Sequence, residues 1–431
     1  MSRPRIHWVS PLPPARTDIA EYTRRCLPAL AARADLVLWT DAERWEPGLE
    51  RPGIAVRRLD PAGALPLDLR SLPPPPPGGS EAVFFHIGNS WEFHSGILAA
   101  ALRVPGVIVL HDLALREALR DMAANRLLAP GLVAATARAW YGAGAAARVQ
   151  GLLAGQPVTA GTLAAEPLWE LLLARATGVL CHTRPGYEAV AARGAVPAWE
   201  LPLPFPAGPA RAAERARTGP LRLVQFGHIG PNRRLEQVFE ALAALGSAVD
   251  WRFEVFGRLW DPALLEGRAR ELGLADRVIF RGFAPEAELD AALARAHLVF
   301  NLRQPSMGEA SGSQLRIWAA SALAAVSDLG WYATLPEETV EKIAPDDERA
   351  GIAALLRRLD TDRNLAARKG TAGRARLEAL HAPERYAAGI AAIAAEAPRD
   401  ARDRLGSDAL RRLLATAPDP GPMRPRAAET L

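Results

Sequence analysis

Short apolar runs, rich in β-branched residues and ending in polar ones, recur through the first half of the chain: RIHWVS (5–10), DLVLWT (35–40), AVFFHIGN (82–89), GVIVLHD (106–112) and GVLCHT (178–183). Helical patterns lie between most of them, and strands alternating with helices predict parallel sheets covered on both faces. A second series of the same kind starts at LRLVQFGHI (221–229) and continues through WRFEVFGR, VIFRGF, LVFNLR and AAVSDLG. Between the two series lies PLPFPAGPARAAERARTGP, a proline- and alanine-rich connector with few apolar residues to bury. The fold class expected is α/β, with two Rossmann-like αβα domains whose parallel sheets face a central cleft. The expected ranges are 1–206 for the first domain, 207–219 for a linker and 220–382 for the second domain. A C-terminal helix over 383–398 is expected to pack back towards the first domain, and the arginine-, proline- and alanine-rich tail over 399–431 is expected to be disordered around one short helix.

Three local patterns refine this picture. SLPPPPPGGS (71–80) cannot pair in a sheet, because proline lacks the donor, and reads as an exposed polyproline spacer. Residues 113–177 form a helical region, with Trp140 and Trp169, larger than a crossover needs; it reads as a plain helical layer, or as an insertion shaping an acceptor pocket or a membrane-facing surface. In DIAE, Asp18 followed three residues later by Glu21 reads as a capping box opening a helix through Leu30.

Composition narrows the function classes. Of 431 residues 49% are apolar and 23% charged, enough burial for a globular fold. The net charge is +4, and Lys342 and Lys369 are the only lysines; the arginine and alanine excess fits a GC-rich bacterial genome. The arginines are spread among carboxylates, which argues against a nucleic-acid face. Cys26 and Cys181 stand in apolar contexts without metal or redox spacing and are expected to be reduced core residues. Arg138, Arg148 and several glycines interrupt the best apolar run, so no membrane span is expected. RIHWVS is not a secretory leader, and the expected location is cytoplasmic.

Ligands of open parallel sheets bind at the carboxyl ends of the strands. His111 and Asp112 end one strand, His182 another, Gly227 and His228 a third, and Asn301 a fourth. In GHIGPNRRLEQVFEAL a glycine- and proline-containing loop leads into an amphipathic helix beginning near Arg234. Amides at that helix start, with Arg233 and Arg234, make a diphosphate cradle, or else an ordinary turn with two solvated arginines. In PSMGEASGSQLRIWAASALA, Ser311, Gly312 and Ser313 lie before an apolar helix and their amides point towards Glu309. That carboxylate either caps its own helix or accepts from vicinal hydroxyls of a sugar or ribose; the open approach at Met307 and Gly308 favours the second. His111 suits hydrogen bonding to a transferred sugar or an acceptor, or else tucks under the next helix with Asp112 as N-cap. His86, Asn89 and His94 line an acceptor side, or merely finish a strand and begin a helix. The DTD at Asp360–Asp362 reads as a turn between helices, and no metal is expected.

From PLPPARTDIAEYT through HIGNSWEFH, VLHDL and FGHIGPNRRLEQV to LVFNLRQPSMGEASGS and VSDLGWYATLPE, the chain resembles the retaining, nucleotide-sugar-dependent glycosyltransferases of family 4 (glycosyl transferases group 1), which have the GT-B fold. The resemblance implies a donor site in the second domain and an acceptor site mainly in the first. Arg233 matches the basic position that holds the donor diphosphate, with Arg234 beside it, and Gly282 and Phe283 fall where the backbone meets the nucleotide base. Glu309 matches the first glutamate of the donor-site motif, which is usually written as two glutamates separated by seven residues. Eight positions after Glu309 stands Ile317, next to Arg316, so the second glutamate's role passes to backbone or to Arg316. His111 and Asp112 match the histidine-containing strand end that faces the reacting centre.

The expected function is therefore transfer of a hexosyl unit from a nucleotide diphosphate sugar to an acceptor hydroxyl, with retention and without a cofactor or metal. The catalytic candidates are His111, Asp112 and Glu309. The donor-binding candidates are Gly227, His228, Arg233, Arg234, Gly282, Phe283, Asn301, Ser311, Gly312 and Ser313. The acceptor-side candidates are His86, Asn89 and His94. The partners expected are the nucleotide sugar, a lipid-linked, glycan or protein acceptor as in polysaccharide biosynthesis, and peripheral membrane contact, with no nucleic acid. A nucleotide-sugar epimerase on the same fold and a non-catalytic glycosyltransferase-like partner subunit are the alternatives, the latter suggested by Ile317 and Asp18.

Overall fold

A computed structural model describes residues 3–63, 65–69, 80–156, 159–209 and 215–397. The spacer at 71–79 and the tail over 399–431 lie outside these. The described chain divides into two compact units. The first holds the residues up to Pro204, Met307–Ala310 and those from Pro383; the second holds Phe205–Ser306 and Ser311–Ala382.

The first unit is built on seven parallel strands: β1 (Arg5–Val9), β2 (Asp35–Thr40), β3 (Ile54–Arg58), β4 (Glu81–Ile87), β5 (Gly106–Leu110), β6 (Ala176–Cys181) and β7 (Ala198–Glu200). Their order is β3-β2-β1-β4-β5-β6-β7. The near-continuous apolar runs are what a sheet buried on both faces demands. The chain reverses its direction of strand addition between β1 and β4, and that switch point is where a doubly wound sheet opens a crevice at its carboxyl edge.

Helix α1 (Asp18–Ala31) opens one residue earlier than the sequence suggests. The N-cap is Thr17, whose hydroxyl accepts from the Ile19 amide, and Asp18 is the first helical residue. Either residue type can cap; here Thr17 has the extended backbone that a cap needs, while Asp18 adds favourable charge at the positive helix end. Helix α2 (Trp91–Ala101) follows β4. Residues 113–177 supply α3 (Arg116–Ala124), α4 (Pro130–Tyr141), α5 (Ala143–Leu153), α6 (Ala160–Ala165) and a 3₁₀ turn at Trp169–Ala174. Leu119, Met122, Val133, Val149 and Leu171 join the core that holds Phe85, Ile108 and Val179, so the region packs as a helical layer. Two buried ionic clusters fix it: Arg116 donates to the Glu166 carbonyl at 2.8 Å and pairs with its carboxylate, and Glu170 binds Arg193 at 2.7 Å and Tyr141. After α7 (Arg184–Ala191) and β7 the chain leaves this unit.

The second unit has six parallel strands, β8 (Leu221–Phe226), β9 (Trp251–Phe256), β10 (Val278–Gly282), β11 (Leu298–Asn301), β12 (Ala324–Ser327) and β13 (Glu341–Ile343), in the order β10-β9-β8-β11-β12-β13. Its switch point lies between β8 and β11. The covering helices are α8 (Leu235–Leu245), α9 (Pro262–Glu271), α10 (Glu286–Arg295), α11 (Gly312–Ala319), α12 (Gly330–Ala333), α13 (Glu348–Thr361) and α14 (Asn364–Leu380). The described part of the expected linker packs on this unit: Arg215 donates to the carbonyls of Ala296 and Ser321, both at 2.6 Å, and Gly208 accepts from Arg374 at 2.7 Å. Carbonyl-seeking arginines hold a segment that lacks apolar anchors. Asp360 pairs with Arg363 and Asp362 with Arg368, in the turn joining α13 to α14.

Helix α15 (Pro383–Glu396) belongs to the first unit, where it buries Tyr386, Ile390 and Ile393. The Tyr386 hydroxyl hydrogen-bonds that of Tyr22 on α1.

Candidate functional site

The candidate residues fall into two groups, one at the carboxyl edge of each sheet. In the second unit, β8 ends in Gly227 and β9 in Gly257, with φ of +105° and +107°. A Cβ built on Gly257 would stand 2.1 Å from the Gly227 carbonyl oxygen, so only glycine lets these two strand-end turns lie together. At the end of β10, Gly282 also has positive φ, and its carbonyl accepts from the Gly257 amide at 2.7 Å. Phe283 next to it is 81% exposed.

The two adjacent arginines part company. Pro231–Arg233 form a 3₁₀ turn, Arg234 takes a left-handed conformation (φ +59°), and α8 begins only at Leu235. The left-handed residue between turn and helix sends the two side chains apart. Arg233 is 3% exposed; its Nη1 donates to Asn301 Oδ1 at 2.9 Å and its Nη2 to Ser313 Oγ at 3.5 Å. Arg234 pairs instead with Glu348 of α13 at 2.7 Å, so it is not a solvated arginine.

Asn301, at the end of β11, also donates to Gln314 Oε1 at 3.0 Å and to Ser311 Oγ at 3.3 Å. Ser311 is the N-cap of α11, accepting from Gln314 N at 3.1 Å, so Gly312 and Ser313 lie in the first turn of the helix. The helix thus starts three residues earlier than the apolar pattern implies, because its first turn is held by the Ser311 cap and by the buried Gln314, which bonds Asn301, and not by apolar side chains. Arg316 pairs with Glu286 and Asp290 of α10, and Ile317 is buried. His228 is exposed, and its pKa is lowered by partial burial and then by Arg258, Arg233 and Arg303. Four basic side chains thus converge around the ends of β8, β9 and β11.

In the first unit, β4, β5 and β6 each end near a histidine. Nδ1 of His86 lies 3.1 Å from Nε2 of His111, and the rings of His111 and His182 are 4.9 Å apart. Trp8 covers His86 at 4.0 Å, Tyr22 meets His111 edge-on at 4.8 Å, and Tyr386 lies 5.8 Å from His182. Burial, then the neighbouring histidines, push the pKa values of His86 and His111 well below the ordinary value, and burial lowers that of His94 to about 4. His111 is therefore a neutral ring at neutral pH rather than a group poised to titrate there.

Two of the three residues expected to line an acceptor stand elsewhere. His86 is fully buried and His94 is 2% exposed, its Nδ1 against the His86 carbonyl at 3.1 Å. Trp8 and Tyr22 pack against the His86 ring, and His94 is on the buried face of α2. Asn89 accepts from Ala118 N at 3.0 Å and donates to Glu117 at 3.2 Å. Asp112 is not a helix cap; its Oδ2 accepts from the Asn89 amide at 2.7 Å, tying the ends of β4 and β5.

Met307–Ala310 complete this edge. The Met307 carbonyl accepts from Leu113 and Ala114 at 2.9 and 3.0 Å, and a Cβ on Gly308 would meet Leu113 Cβ at 2.7 Å. Glu309 Oε2 accepts from the Met307 amide at 2.7 Å, so the carboxylate sits in its own loop and Ser311, not Glu309, caps α11. Sequence reasoning missed the packing of His182 and Tyr22 on His111, and of Tyr386 on both of them. The recurrence of histidine at three strand ends was a signal for the first; nothing local announces Tyr386. Among the described residues no cluster of three or more His, Cys, Asp or Glu could hold a metal ion. No helix there is long and apolar enough to cross a membrane.

Two parallel-sheet Rossmann-like domains, each with its candidates at the carboxyl edge of its sheet, are the GT-B architecture of glycosyltransferases. Solved structures with this fold include sucrose-phosphate synthase from Thermosynechococcus elongatus, with a TM-score of 0.61 and 18% identity over 91% of this chain and 99% of that one. Anabaena HepE in complex with UDP gives 0.58 and 14% over 91% and 100%. WaaG, a glycosyltransferase involved in lipopolysaccharide biosynthesis, gives 0.54 and 15% over 90% and 99%. No protein-family model and no curated protein matches the chain.

Proposed function

We propose that the chain is a cytoplasmic, family 4 glycosyltransferase that moves a hexosyl unit from a nucleotide diphosphate sugar to an acceptor hydroxyl, with retention and without a bound metal. The observation that carries this reading is the buried Arg233 guanidinium, held by the neutral Asn301 and Ser313 at the β8/β11 switch point and flanked by His228, Arg258 and Arg303. Such a site suits the two negative groups of a diphosphate, and charge-assisted donors there stabilise the leaving group as its charge grows. The UDP named with HepE makes uridine diphosphate sugars the first donors to try.

In the reaction proposed, the bond between the anomeric carbon and the diphosphate oxygen breaks as the acceptor oxygen bonds to the same face. The acceptor proton passes to the departing phosphate oxygen. The protein then needs to position and to stabilise charge, which Arg233, His111 and Glu309 supply. A bacterial glycan or lipid-linked sugar is the acceptor class proposed.

The test is a thermal-shift panel of nucleotide diphosphate sugars, followed by turnover with the stabilising donor. Ligand at about 100 times its dissociation constant adds roughly 2.7 kcal/mol. Product of retained anomeric configuration, formed after exhaustive chelation, is the expected result. Inversion, or activity that returns only with manganese, overturns it; epimer formed without acceptor would instead mark an epimerase.

A further inference from the structure

The His111 ring makes one hydrogen bond among the described residues, to His86, and that contact fixes where its proton lies. Two facing ring nitrogens of neutral imidazoles share a single proton. If His111 Nε2 carried it, the proton of His86 would have to sit on Nε2, which is buried and has no partner. A buried N–H without an acceptor is among the rarest arrangements in native proteins. If His86 Nδ1 carries the shared proton, only a lone pair is left in that apolar pocket.

The neighbours do not change this assignment. His94 Nδ1 faces the His86 carbonyl and His182 Nδ1 faces the Leu201 carbonyl at 2.9 Å, so each of those rings must donate there and keeps its own proton. Tyr22 and His182 meet His111 through ring faces and edges, and Trp8 does the same for His86. The Asp112 carboxylate is engaged by Asn89 N.

We propose that His86 is a positioning residue: it donates from Nδ1 to His111 and holds His111 as the Nδ1–H tautomer, so that the half-buried ring offers a ligand a hydrogen-bond donor and not a base. The use made of that donor rests on the glycosyltransferase reading, in which it meets an oxygen of the bound sugar or acceptor. The tautomer itself does not.

The experiment is a long-range ¹H–¹⁵N correlation spectrum of the full chain labelled at its histidine ring nitrogens, at pH 8, with His111→Gln and His86→Gln spectra identifying the two rings. His111 is expected as Nδ1–H by at least about tenfold over the other tautomer. His86→Gln, which keeps an N–H donor, preserves that pattern, whereas His86→Leu releases it and lowers donor turnover about as much as His111→Gln does. An Nε2–H signature for His111 in the unaltered protein overturns the proposal, as does an unchanged signature in folded His86→Leu. Because the spectrum of the unaltered protein decides, a variant that fails to fold does not protect the idea. The Nδ1–H pattern without turnover on any nucleotide sugar would sink the glycosyltransferase reading and leave the positioning intact.

Discussion

Arg233 Nη1 donates to Asn301 Oδ1 at 2.9 Å, fastening the loop that follows β8 to the end of β11, the strand on the other side of the switch point. The guanidinium is thereby aimed before any ligand arrives, and little is lost in ordering it on binding. Arg233→Ala is expected to lower donor-dependent turnover efficiency about tenfold to a hundredfold, the equivalent of about 1.5–3 kcal/mol for a charge-assisted hydrogen bond. Arg233→Lys should recover part of it, keeping the charge without the fork. Steady-state kinetics of folded variants decide, and unaltered efficiency in Arg233→Ala rules out the diphosphate role.

Arg234→Ala should show the opposite balance. Its partner Glu348 is buried at 4% side-chain exposure, so the change strands a carboxylate and costs about 1–3 kcal/mol of stability. Turnover at a temperature where both proteins are folded should fall less than for Arg233→Ala. Melting curves beside kinetics test this; a variant with unchanged melting and a larger catalytic loss than Arg233→Ala contradicts the geometry.

Glu309→Gln keeps an oxygen able to accept from Met307 N and removes only the charge. Stability should hold within about 0.5 kcal/mol while turnover falls at least about tenfold, since a neutral amide is the weaker acceptor for sugar hydroxyls. Equal activity of the two proteins would show that the loop uses this carboxylate for its own shape alone.

Gly257→Ala places a methyl group against the Gly227 carbonyl in a backbone conformation that L residues avoid. About 1–3 kcal/mol of stability should be lost, and nucleotide affinity with it, because the turn carrying Gly227 and His228 must shift. Calorimetric binding of UDP reads the second effect. A stable Gly257→Ala protein with unchanged affinity would disconnect the β8 and β9 turns from the ligand.

The histidine cluster makes acid stability directional. His86, His94 and His111 all have folded pKa values below the ordinary 6.5, so the unfolded chain binds more protons as pH falls. Their contribution to stability is complete above 6.5 and is lost as pH drops from there towards the folded values, about 4 for His94. Each contributes a slope of up to about 1.4 kcal/mol per pH unit in that window. Urea midpoints between pH 7 and 4.5 should fall steeply, and less steeply in His94→Gln. A flat profile would show that these rings are not buried neutral.

The sequence made the architecture legible because each sheet is covered on both faces: strands of Val, Ile, Leu and Phe ending in His, Gly, Asn or Thr announce both their position and their carboxyl edge. Arg233, Asn301 and Ser311 could be found for the same reason, standing at strand ends or at a helix cap. Local pattern failed where backbone handedness or distant cover decides. Nothing in NRRLEQ says that Arg234 adopts a left-handed turn, and either Thr17 or Asp18 satisfies a capping rule. His86 reads as a strand-end ligand until Trp8 and Tyr22, contributed by other elements, close over it.

Tyr386 and the rest of α15 belong to the first unit but are made only after the whole of Phe205–Ala382. On the ribosome, a strand-built sheet therefore waits, with Tyr22 and the His182 ring lacking their aromatic neighbour, until nearly two hundred further residues have emerged and the final helix returns. Synthesis order is thus part of how this protein is assembled: a chain arrested near Ala382 would carry both sheets and yet leave an apolar face of the first unit open to chaperones or to other nascent chains.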